Sequence, residues 1–182
     1  IEVVNEESYS DEALQIALDH NLTIMGTSDI HGLIDWQYNV PEGHRPVTLV
    51  FAKEKSEASL KEALFAKRTV VWFNNTLIGR EEFLVPLINS SLSVEGTSYY
   101  GKTSVLTVKI KNSSSTEYIV ENAGDYLFYD NTSILTLKAN GVTKIQVKVM
   151  QNLSELKLKF RVLSAVTAPK KHPVITIPVT VQ

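Results

Sequence analysis

Apolar positions recur along this chain with two different periods, and the change comes near residue 90. Ile1-Glu2-Val3-Val4-Asn5 is a short β-rich run. Over residues 11–21, Leu14, Ile16, Ala17 and Leu18 return at helical spacing, with Ser10 placed as the N-cap. Leu22-Thr23-Ile24-Met25-Gly26-Thr27 then reads as a strand ending in the polar stretch Ser28-Asp29-Ile30-His31-Gly32. The order is strand, helix, strand, with chemistry-bearing groups at a strand's carboxyl end, where ligands gather in parallel α/β sheets. A loop over residues 33–46 leads to a strand at 47–52, a helix over 56–67 with Ser56 as its cap and Leu60, Ala63 and Leu64 as its stripe, and a strand at 69–73. This second set has the size of another βαβ unit. A short helix over 80–89 closes the first part.

After Ser90 the period falls to two, as in residues 105–111, 134–138 and 145–149, so each run presents one buried and one wet face. Further runs at 156–163 and 174–181, with turn clusters at 112–115 and at Asn140-Gly141, give about seven strands spaced as in an immunoglobulin-like β-sandwich. Asn140-Gly141 suits a tight hairpin. The expected organisation is α+β in two domains: an α/β portion at 1–90 and an antiparallel Ig-like sandwich at 91–182.

Hydrophobic residues make up 43% of the 182 positions, enough to build cores, and the formal net charge is only -2. With a pI near 6.1, the overall charge gives no reason to expect nucleic acid as a partner. There are no cysteines, so disulfides and thiolate metal sites are excluded. No apolar run reaches the roughly 18 residues of a membrane span. The chain starts at Ile1 in a strand-like run, which suggests a fragment or a processed product of a longer parent. A periplasmic or secreted bacterial location is slightly favoured over a cytoplasmic one.

Within Gly26-Thr27-Ser28-Asp29-Ile30-His31-Gly32, Asp29 and His31 are two positions apart. In an extended segment their side chains leave on one side and reach a common ion. A carboxylate oxygen and an imidazole nitrogen suit Zn, Mn or Fe. Spacing alone also fits a plain alternative, in which Asp29 caps the following turn and His31 lies on a solvated loop. Arg45, in the aromatic and polar loop just after the motif, is placed to meet a phosphate oxygen, although a solvated surface arginine is the commoner use of such a residue.

Three segments resemble the last part of the polymerase-and-histidinol-phosphatase (PHP) domain, a distorted α/β barrel of metal-dependent phosphoesterases. Residues Ile1 to Asn5 are similar to the family's late strand, the 26–32 motif to its final metal motif, and Leu60-Lys61-Glu62-Ala63-Leu64-Phe65-Ala66-Lys67-Arg68-Thr69-Val70 to the segment that follows. The likeness covers about half the chain, and it departs at Lys67, where the family has glycine. It implies that Asp29 and His31 are metal ligands of a bi- or trinuclear site acting on phosphate esters. The family's other ligands have no counterpart at 1–32, so the resemblance implies that they belong to an upstream remainder of the parent, and that the isolated chain is inactive. Glu2 is a less favoured substitute ligand because it sits in the late strand motif. The competing function is a non-catalytic module whose sandwich binds a glycan or a protein, with Tyr99-Tyr100 and Tyr126 to Tyr129 as an aromatic platform. A third role for 91–182 is simply to pack against the α/β part.

Overall fold

The computed structural model describes residues 1–101, 103–130 and 132–181. The chain divides into two compact units, one of residues 1–84 and 165–171, the other of residues 85–164 and 172–182.

In the first unit, β1 (Glu2–Asn5), β2 (Ser8–Tyr9), α1 (Asp11–Asp19) and β3 (Met25–Thr27) follow in order. β1 pairs antiparallel with β2 and parallel with β3, so the first strand–helix–strand is a true parallel unit. Ser10 caps α1 as expected: its hydroxyl accepts from the Ala13 amide at 3.1 Å. Val3, Val4, Leu14, Ala17 and Ile24 form the core with Val71, Phe73 and Ile78.

The segment expected as a loop at 33–46 contains a five-residue helix, α2 (Ile34–Tyr38). No side chain caps its start, and Asn39 ends it in the left-handed conformation at φ 49, so it is too short for a repeat to announce it. β4 (Val47–Val50), α3 (Glu57–Phe65), β5 (Thr69–Phe73), β6 (Thr76–Gly79) and α4 (Glu81–Ser91) follow. Here the expected second βαβ unit is corrected, because β4 and β5 run antiparallel. β6, which the sequence reading passed over, joins β5 through Asn74 and Asn75, both at positive φ. That is the backbone a two-residue hairpin of the primed type requires. The divide expected after residue 90 falls within α4.

Side chains tie β3 to the four-stranded sheet. Thr48 Oγ1 accepts from the Gly26 amide at 3.0 Å and donates to the Gly26 carbonyl at 2.9 Å. Thr69 Oγ1, buried, donates to the Ile24 carbonyl at 2.7 Å, and Thr23 Oγ1 donates to the Leu64 carbonyl at 2.8 Å. Two of these hydroxyls thus satisfy backbone groups where the β3 segment approaches β4 and β5 without sharing a ladder, and that of Thr23 satisfies a carbonyl of α3.

The second unit holds β7 (Leu92–Tyr99), β8 (Val105–Asn112), β9 (Tyr118–Asn122), β10 (Leu127–Phe128), β11 (Ile134–Leu137), β12 (Gly141–Lys148) and β13 (Glu155–Val162), with β15 (Val174–Thr180) after the return described below. They form two four-stranded antiparallel sheets, in the orders β10-β12-β8-β7 and β11-β9-β13-β15. β13 alternates strictly, burying Leu156, Leu158, Phe160 and Val162 and leaving Lys157 and Lys159 outside. The turn at Asn140-Gly141 is not the expected hairpin: it links β11 of one sheet to β12 of the other. Buried Asn112 donates to the Thr116 and Leu137 carbonyls and accepts from Ser114, which satisfies its amide inside the unit. Between β13 and β15 the chain contributes β14 (Ala165–Val166) to the first unit, parallel to β6.

Candidate metal centre

β3 ends at Thr27, whose carbonyl accepts from the Glu6 amide at 3.1 Å. The next carbonyl, that of Ser28, accepts from the Tyr38 hydroxyl at 2.9 Å. Asp29 then takes a left-handed backbone at φ 40. The motif is therefore not the extended segment its spacing suggested, yet the two side chains still meet, with His31 Nε2 at 3.6 Å from Asp29 Oδ1.

That separation can be tested against coordination geometry. Two donors each about 2.0–2.2 Å from one ion at a tetrahedral angle lie roughly 3.3–3.6 Å apart. The observed pair fits as two ligands of a single divalent cation. Both side chains are open to solvent, at 83% for His31 and 54% for Asp29, so binding an ion would strip little buried structure from them. Among the described residues, no group of three or more His, Cys, Asp or Glu side chains converges to hold a metal.

Glu2 does not join this pair in a group that could hold a metal. Its carboxylate accepts from Asn5 Nδ2 and Thr27 Oγ1, each at 3.0 Å, and these bonds hold its carboxyl below the usual glutamate range. Arg45 is exposed and lies close enough to Tyr38 to oppose, electrostatically, the rise in that residue's pKa. Burial is the main cause of that rise, and the negative charges of Glu6, Glu7 and Asp29 add to it. Tyr38 therefore stands where the turn after β1, the motif after β3 and the segment before β4 come together. The sequence reading had Tyr38 only as part of the aromatic loop after the motif, without its bond to Ser28, and missed Glu6 and Glu7. The position of Glu6 and Glu7 directly beyond a strand's carboxyl end was the available signal. His44, in the same segment as Arg45, stacks on Trp72 with ring centroids 3.9 Å apart. His20 serves as the C-cap of α1.

Residues 92–178 match the family model described as an Ig-like domain. No curated protein matches the chain. Among solved structures, the chain is similar to one from Bacteroides vulgatus ATCC 8482, described as a two-domain protein containing a predicted PHP-like metal-dependent phosphoesterase. The two are 33% identical with a TM-score of 0.87, over 98% of this chain and 52% of the other. The chain thus spans about half the length of that protein.

Proposed function

We propose that the chain supplies the last part of a PHP-type metal-dependent phosphoesterase domain, including two of its metal ligands, followed by an Ig-like domain. The observation that carries this reading is the convergence of Asp29 and His31 at the carboxyl end of β3, at a separation suited to one ion. The 33% identity to a protein described as containing a predicted PHP-like phosphoesterase supports it. A divalent Zn, Mn or Fe ion, when bound, polarises a phosphoryl oxygen and lets its water act as a nucleophile near neutral pH. Asp29 and His31 would hold such an ion, and Arg45 would orient a phosphate ester beside it through charge-assisted hydrogen bonds. The remaining ligands, and the rest of a distorted barrel, would come from a preceding part of a longer protein.

The test is titration of this chain with Zn²⁺ and Mn²⁺, with hydrolysis of bis-p-nitrophenyl phosphate followed alongside, for the wild type and an Asp29→Ala, His31→Ala variant. Weak metal binding that the double substitution abolishes, with no turnover by either protein, is the expected result. Equal metal binding by the two proteins would overturn the assignment of the ligands. Turnover by the wild type alone would show that the site is completed within these residues and would remove the need for a preceding part.

A further inference from the structure

We propose that Tyr38 is a positioning residue for the ligand pair: through the Ser28 carbonyl, its hydroxyl holds the loop that brings Asp29 and His31 together. The inference rests on the reading of that pair as metal ligands.

Two consecutive carbonyls fix the exit of β3. The Glu6 amide takes the first, at Thr27, as a backbone bond any residue could make. The second, at Ser28, is taken by a side chain that arrives from ten residues further on. The next residue is Asp29, in a left-handed conformation that costs energy for any residue with a Cβ and persists only where its surroundings impose it. Two residues beyond, His31 closes the pair.

Tyr38 is itself held firmly. It is 8% exposed and sits at the end of α2, where the chain turns through left-handed Asn39. The Gly43 amide returns to the Asn39 carbonyl at 2.8 Å, and a Cβ at position 43 would lie 2.3 Å from the Tyr38 carbonyl oxygen, so the turn closes only around a glycine. A phenylalanine would bury the same ring. What it could not do is donate to Ser28, so the hydroxyl's contribution is separable from packing.

Tyr38→Phe in the 182-residue chain separates the two roles. The first readout is the set of backbone ¹³C shifts of Asp29 and His31 in metal-free protein, which report the loop conformation. The second is a Zn²⁺ titration followed at the His31 ring by NMR. The expected result is loss of the left-handed signature at Asp29 and a fall of about tenfold in Zn²⁺ affinity, the size of effect typical when an outer partner of a ligand is removed. Replacement of Tyr38 by 4-aminophenylalanine, which retains a donor, should restore both, and it serves as the deciding variant should the phenylalanine protein fold poorly. Unchanged backbone shifts and unchanged affinity in Tyr38→Phe would overturn the proposal, as would a 4-aminophenylalanine protein that behaves like the phenylalanine one. Absence of a His31 response to Zn²⁺ in the wild type would refute the ligand reading instead, while the backbone shifts still decide whether Tyr38 sets the loop.

Discussion

Gly26 and Val71 approach so closely that a side chain on the first has no room: a Cβ at position 26 would lie 2.4 Å from Val71 Cγ1. Gly26 opens the motif that carries Asp29 and His31, and this contact seats β3 against β5. Gly26→Ala should therefore destabilise the chain by about 1–3 kcal/mol through overpacking. The urea midpoint checks this. Because the clash is with one side chain, the Gly26→Ala, Val71→Ala double variant should be more stable than the sum of the single effects, by at least about 0.5 kcal/mol. Strict additivity would place the strain elsewhere.

The threonine hydroxyls that join β3 to its neighbours should differ in cost according to their burial. Thr69→Val keeps the shape and removes the donor to the Ile24 carbonyl, leaving a buried acceptor short of a partner at about 1–3 kcal/mol. Thr23→Val, whose hydroxyl is only partly buried, should cost less because water can replace it at the Leu64 carbonyl. Equal effects in chemical denaturation would mean that burial does not govern these bonds.

What the sequence disclosed and what it hid follow from range. The caps at Ser10 and Ser56 are local events, a hydroxyl reaching an amide three residues on, and both were legible. The alternation of β13 was equally plain, because one buried face imposes it residue by residue. The antiparallel pairing of β4 with β5 was hidden, since a strand–helix–strand pattern leaves direction to the path of the connection. At the candidate site the motif itself was readable, but the role of Tyr38 was not. That role depends on a bond between α2 and the β3 loop, and α2 gives no period to mark it. The left-handed turn at Asp29 was hidden as well, because alternation assumes an extended chain.

Alkaline pH should weaken the first unit through Tyr9. Burial, and then the hydrogen bond from its hydroxyl to Asp11 Oδ1 at 2.7 Å, hold its pKa well above the ordinary value of 10.0. A group whose pKa is raised by folding gives stability that is complete below the unfolded value and is lost as pH climbs through the folded one. Melting temperature should thus be insensitive to this residue below about pH 10 and should decline above it. In Tyr9→Phe that part of the decline should be missing, and a Tyr9→Phe curve parallel to the wild type above this pH would show that the residue is not responsible.

The proposed ligands Asp29 and His31 should be nearly dispensable for folding, and the two residues should differ for a reason unconnected with metal. His31 is exposed and pairs with the exposed Asp29, so His31→Ala should change stability by no more than about 0.5 kcal/mol. Asp29 occupies a left-handed backbone, which aspartate tolerates better than alanine does, so Asp29→Ala should cost roughly 1 kcal/mol and Asp29→Asn close to nothing. Urea titrations of the three variants test the order. A large loss in His31→Ala would mean that the histidine supports the fold, and the effect of the double substitution on metal binding would then have to be separated from unfolding. With the expected order, any loss of metal binding in His31→Ala reflects the missing donor, because the protein that carries it is as stable as the wild type.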